Sequence, residues 1–462
     1  MTGRLNRLFA AMRPEQVDLL VGMETGDPLA AAFAGKRVLH AGLRGGAIMP
    51  SDWQPLWQRL MDAPPPPGKR VAYVHIPFCL HRCLYCGFFQ NVSSHEQENA
   101  YIDRLVREIE AGCRERYVAG GRIQAVFIGG GTPSALSAAN AARLLAAIRR
   151  LPLANDYELT LEARVHDLVP EKMEAWLDNG VNRISIGVQS FDTQVRQAVG
   201  RLDAGDIVLE RLRQLSAYDQ AAVIIDLMYG LPYQDRQVWQ RDLALLGEAA
   251  IDGWDLYQLN IYEHSDLRKA IDAGRLPPAA TVAEQARMFA AAETLLAENP
   301  FFSRLNVCHW SKTNRERNMY NTLTKSGNAV IPFGSGAGGS VGGISLSLDR
   351  SLQSYLNRID QGEKPIVAMR QPHTIQELQN AVLSQIRQGH LSLEALAAQF
   401  GHEVMELEPL LKTWEARGLL QRGAVAARLT VAGQFWYMNI AQSVLECLHA
   451  LLTGTQLQPK MA

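Results

Sequence analysis

The strongest constraint in this chain is an alternation that begins near residue 70 and runs to about residue 297. Short β-branched or aromatic runs are each followed by an amphipathic run of helical period. "RVAYVHIPF" precedes "AYIDRLVREIEAGCRERY", and "IQAVFIGGG" precedes "AANAARLLAAIRRL". "YELTLEARV" precedes "PEKMEAWLDNG", where Pro170 suits the first turn of a helix. "VNRISIGVQSF", "AAVIIDLMYGLP" and "WDLYQLNIY" open three more such units. Strands that return through helices are parallel, so the pattern predicts an α/β fold with a parallel sheet wrapped by helices. Six units suit a partial (β/α)6 barrel, and periodicity alone also permits an open doubly wound sheet. In both, the functional rim lies at the C-terminal ends of the strands.

Chemistry-bearing residues gather at that rim. Directly after the first strand, "HIPFCLHRCLYCGFF" sets Cys79, Cys83 and Cys86 in the spacing C-x3-C-x2-C. Gly129, Gly130 and Gly131 follow the second strand, Glu162 closes the third, Gln189 the fourth and Asp226 the fifth. A structural zinc site wants four ligands, usually as two pairs, and no second pair exists here. A redox dithiol would use Cys83 and Cys86 and leave Cys79 unexplained. A cubane iron–sulfur cluster takes thiolates from such a loop, and three ligands leave one iron open to a substrate or cofactor. The spacing favours the cluster. Cys113, Cys308 and Cys447 are scattered and read as small buried hydrophobes.

The flanks divide the chain into three. Residues 1–68 form an N-terminal extension ending in a stiff linker, Pro64 to Pro67 and then Gly68. Residues 69–345 carry the barrel and substrate-side elements. Residues 346–462 read as a mainly helical, winged-helix-like domain: three helices, a hairpin in "LLQRGAVAARLTV" and a last helix. Residues 403–418, in the place of a recognition helix, hold four Glu against one Lys and one Arg, which argues against phosphate contacts. Lys plus Arg is 46 against 47 for Asp plus Glu, so no basic footprint points to nucleic acid or an anionic membrane. No apolar run is long enough to span a bilayer, and the N-terminus does not read as a signal peptide. A cytoplasmic location, with reduced thiols, is expected.

The cysteine spacing after a first barrel strand resembles the signature of the radical S-adenosylmethionine (SAM) enzymes. With "FIGGGTPSAL", "ISIGVQSF" and "IDLMYGLP" it resembles the branch that contains oxygen-independent coproporphyrinogen III oxidase, over roughly residues 70 to 345. Those oxidases carry a further cysteine two positions after the third, where this chain has Phe88. The related haem chaperones also have Phe there, but are not expected to have this N-terminal segment. "DPLAAAFAGKRVLHAG" together with "CGFFQN" is similar to the anaerobic haem-degrading methyltransferases, the anaerobilin synthase family.

The resemblance implies roles. Cys79, Cys83 and Cys86 match the ligands of a [4Fe-4S] cluster. Tyr73, Gly129, Gly130, Gly131 and Glu162 match contacts to a first SAM, the radical source. Thr132, Gln189, Arg201 and Asp226 match contacts to a second SAM, the methyl donor. Arg201 and Asp226 stand with the cysteines as catalytic candidates. The implied reaction removes hydrogen from the second SAM's methyl group, adds the resulting carbon to a meso position of haem, opens the macrocycle and releases iron. An electron donor, flavodoxin-like or another reductant, is implied as partner. For haem, "VCHWSKTNRERNMYN" offers His309 for iron or a proton and Arg315 and Arg317 for propionates, with a solvated basic loop as the alternative. Tyr262 and His264 follow the sixth strand toward the same mouth. His40 reads as structural. The glycine-dense "FGSGAGGSVGG", residues 333–343, reads either as a close backbone approach to a ligand or as a flexible turn.

Overall fold

The computed structural model describes residues 3–37, 41–87, 91–92 and 94–457, so His40 and Phe88 lie outside the described residues. Six parallel strands follow one another in chain order across one sheet. They are β1 (Arg70–Ile76), β2 (Ile123–Gly130), β3 (Leu153–Ala163), β4 (Arg183–Gln189), β5 (Ala222–Tyr229) and β6 (Gly253–Gln258). Helices His95–Arg114, Ala138–Ile148, Pro170–Leu177, Gly205–Ser216 and Arg236–Glu248 connect them. Ile184, Ile186 and Val188 of β4 are buried, as are Val223, Ile225 and Leu227 of β5, because helices cover the outer face of parallel strands. The helices start where the sequence offers caps. Ser94, Ser137 and Asp235 each accept a backbone N–H in the first turn, and Pro170 opens its own helix.

The sheet continues beyond the six units. Ala329–Phe333 adds a seventh parallel strand beside β1, and Gly338–Val341, Ile344–Leu348 and Ile366–Arg370 extend that edge antiparallel. At the other edge His309–Ser311 and Ser303–Arg304 run antiparallel beside β6. The glycine-dense stretch is a hairpin. Gly342 and Gly343, at φ +57° and +79°, make the tight turn between its strands, a conformation that β-carbons disfavour. The domain boundary read at residue 345 therefore falls inside a strand. The sheet runs on to Arg370 and the helical part begins at Gln376.

That part has helices Gln376–Arg387, Leu393–Phe400 and Glu408–Ala416, a hairpin from Leu420–Arg422 and Ala427–Leu429, and a long helix Tyr437–Thr453. A short strand, His390–Leu391, joins the hairpin. In the helix at the recognition position, Leu410, Leu411 and Trp414 are buried, and Glu408 and Glu415 both pair with Arg422. The N-terminal extension docks on the long helix. Trp436 Nε1 donates to the carbonyls of Pro28 and Leu29, both at 3.0 Å, and Gly42 N–H reaches Gln442 Oε1 at 2.9 Å. Among the described residues no helix is long and apolar enough to cross a membrane.

Trp436 is fully buried where the extension meets the C-terminal helices. Trp436→Ala is expected to lower unfolding stability by about 3–5 kcal/mol and to expose the extension to proteolysis, as read by denaturant titration and limited digestion.

Candidate active site

The cysteine loop is fixed to the sheet by backbone. Gly131 N–H donates to Ile76 O and Thr132 N–H to Phe78 O, both at 2.7 Å, so the loop after β1 is clipped to the end of β2. A β-carbon on Gly131 would lie 2.4 Å from Phe78 O, and one on Gly129 would lie 2.8 Å from Glu162 Oε2. Both positions therefore need bare backbone. Farther along the loop, Leu84 N–H donates to Val199 O at 3.2 Å, Leu267 N–H to Leu84 O at 2.9 Å, and Arg164 Nη1 to His81 O at 2.8 Å. Loops after β3, β4 and β6 thus all hold the cysteine loop.

Cys79 and Cys83 are buried and Cys86 is half-buried. Thr132 Oγ1 donates to Cys79 Sγ at 3.3 Å, while burial pushes that thiol's pKa up. Among the described residues, no three His, Cys, Asp or Glu side chains gather closely enough to hold a single metal ion. A cluster asks for a different arrangement, in which each thiolate takes its own iron. Three thiols on one backbone-fixed loop meet that demand. Cys83 and Cys86 face a cavity of about 270 Å³.

That cavity brings nine of the residues picked out in the sequence to one place. Its wall includes Gly130, Gly131, Thr132, Glu162, Gln189, Arg201 and Asp226 beside the two cysteines. Gln189 sits at φ +75° after a register shift at the end of β4, a strained backbone that re-aims its side chain. Arg201 Nη2 donates to Tyr85 OH at 2.7 Å, and its Nε is buried without a partner. A buried donor with nothing to bind points to an absent ligand. Glu162 accepts from Gly130 N–H at 3.1 Å. Burial lifts its pKa to about 7, against the pull of that bond and of Arg183. Asp226 is held well above the usual carboxylate range by burial, then by Asp255 and Glu162. Two buried carboxyls held back from ionisation would be drawn into their charged form by a cationic ligand, such as a sulfonium or ammonium. The residues present therefore fit both a cluster and SAM.

Tyr73 and Gly129 do not line this cavity. Tyr73 OH meets His75 Nδ1 at 3.0 Å, and its ring lies near those of Phe127 and Tyr320. Tyr85, Arg164 and Tyr257 also face the cavity and were missed in the sequence. Tyr257 was legible from period two, since Asp255 and Tyr257 continue the inward row of β6.

The haem candidates separate. His264 is exposed in the loop after β6, beside Tyr262, whose ring would touch a β-carbon on Gly87 at 3.4 Å. His309 is neither an open ligand nor part of a solvated loop. It is fully buried, with Nδ1 2.8 Å from Asp255 and Nε2 3.0 Å from Glu316, which in turn binds Arg183 at 2.9 Å. Arg315 pairs with Asp219, and Arg317 donates to the carbonyls of Asp156 and Tyr157. Those partners mark the N-terminal ends of β5 and β3, so both arginines lie at the rim opposite the cysteines.

Residues 73–246 match the Radical SAM superfamily. Anaerobilin synthase of Escherichia coli O157:H7 is 38% identical over 397 residues, 86% of this chain and 88% of that protein. The chain is a radical SAM enzyme of the anaerobilin synthase family. Heme chaperone HemW of Lactococcus lactis is 32% identical over 288 residues, 62% of this chain and 73% of that protein. Among solved structures, coproporphyrinogen III oxidase from Escherichia coli shares the fold at a TM-score of 0.70 and 20% identity, over 84% of this chain and 92% of that one.

Two outcomes test the site. Gly131→Ala should cut the iron and sulfide content of reconstituted protein several-fold, because its β-carbon cannot coexist with Phe78 O. His309 carries a second prediction. Burial opposes its charge, but Asp255 and Glu316 outweigh burial and raise its pKa to about 9 from an ordinary 6.5. A raised folded pKa stabilises below the unfolded value. The contribution is therefore complete below about pH 6.5, on the order of 2–3 kcal/mol, and is lost as pH rises through about 9. Denaturant melts across that range should show the decline in wild type and a flatter profile in His309→Gln.

Proposed function

We propose that this enzyme opens haem anaerobically, using two SAM molecules and transferring a SAM-derived methyl carbon to give a linear tetrapyrrole and release iron. Its family relationship, spanning 86% of the chain, carries this reading. When bound, the cluster and one SAM supply the carbon-centred radical that begins the chemistry. The chain's own residues do the rest. Cys79, Cys83 and Cys86 hold the cluster. Glu162 and the glycines after β2 receive the first SAM, and Gln189, Arg201 and Asp226 with Thr132 receive the second. The loops after β4, β5 and β6 leave Leu202, Tyr233, Ile261 and Tyr262 exposed around the mouth. An apolar, aromatic rim suits a flat macrocycle. His264 in the same loop replaces His309 as the candidate for haem iron. A cytoplasmic location and a flavodoxin-like electron donor complete the proposal.

An anaerobic assay with reductant, haem and trideuteromethyl-SAM tests it. The expected result is loss of the Soret band, a labelled linear tetrapyrrole and deuterium in 5′-deoxyadenosine. Intact haem retained by the protein would favour a chaperone. Turnover of coproporphyrinogen alone would favour the oxidase, and absence of deuterium from 5′-deoxyadenosine would sink the hydrogen-abstraction step.

A further inference from the structure

Beyond β6, at the edge of the barrel, the structure gathers four cations, three of which have no ion pair among the described residues. Cys308 marks the place. Its carbonyl accepts from Leu256 N–H at 2.8 Å, beside Tyr257 of the cavity wall. Arg387 ends a helix against the same turn, its carbonyl accepting from Val307 N–H at 2.9 Å. Lys36 arrives from the N-terminal extension. Asn439 grips the backbone on either side of it, accepting from Arg37 N–H and donating to Gly35 O, both at 3.0 Å. Lys36 Nζ then rests 3.5 Å from the centre of the Phe435 ring. Burial and then Asp255 push the Cys308 thiol's pKa up, against the pull of Lys325, last in the helix Met319–Lys325, and of Arg304 and Arg387.

Arg304 shows what a satisfied cation looks like here, with Glu293 at 2.5 Å and further bonds to Asn306 and Val307. Among the described residues, Lys36, Lys325 and Arg387 have no ion pair and no side-chain hydrogen bond. Burial lowers the pKa of Lys36 well below its ordinary value and lowers that of Arg387 as well. Burying Lys36 and Arg387 without a counter-charge is costly, and an arriving anion would relieve that cost. Three elements distant in sequence converge to present them, and the tyrosine beside them faces the active-site cavity.

We propose that Lys36, Lys325 and Arg387 form a carboxylate cradle that takes the propionates of the porphyrin substrate and sets which edge of the macrocycle faces the cavity. The inference rests on the haem reading above. It gives the N-terminal extension a direct part in substrate selection, and it moves propionate recognition from Arg315 and Arg317 to the cavity end of the barrel.

The test is an anaerobic binding titration of the full chain with haem and with haem dimethyl ester, read in the Soret region without turnover. Wild type should bind haem more tightly than the ester. Lys36→Gln and Arg387→Gln should each weaken haem binding roughly tenfold, with ester binding unchanged, and the double variant should lose the preference for free acid. Lys36→Gln, at a half-buried site, keeps the test decisive if Arg387→Gln does not fold. Variants that retain the full haem-over-ester preference would overturn the cradle while leaving the haem reading intact. A wild-type chain that binds haem no better than its ester would also overturn it. Absence of any haem binding by wild type would overturn the haem reading, and the cradle with it.

Discussion

The site depends on two backbone hydrogen bonds, Gly131 N–H to Ile76 O and Thr132 N–H to Phe78 O. They join the loop after β1 to the end of β2 and fix where the first cysteine can be. Thr132 then bonds Cys79 Sγ directly. Everything else at the mouth is arranged around that clip: Glu162 reaches back to Gly130 N–H, and the loops after β3, β4 and β6 each contribute a bond to the cysteine loop. A parallel sheet makes this possible because every strand delivers its C-terminal end to the same rim.

Charge is sorted along the barrel. Glu162 and Asp226 crowd the cavity, with Asp255 beside Asp226 in the next strand. Beneath them Arg183, Glu316 and His309 form a buried network that compensates part of this negative charge. Such a lumen favours a cationic cofactor. At the edge beyond β6 the sign reverses, with Lys36, Lys325 and Arg387 near Cys308. On the proposed reading, a cationic sulfonium compound and an anionic porphyrin would meet opposite fields on two sides of one site, each guided to its own place.

The six strand–helix units were legible because each strand's apolar run and each helix's period stand alone in the sequence. The rim residues were legible for a related reason: the C-terminal part of a parallel strand reaches the mouth whatever its neighbours are, although Asp226 does not close β5 as read but stands three residues before its end, and Glu162 one before the end of β3. The segment after residue 307 was misread because three residues reverse the chain. His309–Ser311 pairs antiparallel with β6, carries the chain back to the N-terminal ends, and leaves Arg315 and Arg317 at the far rim. That pairing depends on Asp255 and Glu316 meeting His309, contacts between residues that no local pattern joins. Lys36 was illegible for the same reason, since its surroundings come from Phe435 and Asn439 at the other end of the chain.

The central claim is that three thiolates hold a cluster with one iron left for SAM. Electron paramagnetic resonance of the reduced, reconstituted protein, with and without SAM and alongside iron and sulfide counts, tests it most directly. The account predicts one [4Fe-4S] cluster per chain, a spectrum that shifts on adding SAM, and loss of the cluster when Cys79, Cys83 or Cys86 is replaced. Bound zinc in place of iron, or a cluster whose spectrum ignores SAM, would contradict it.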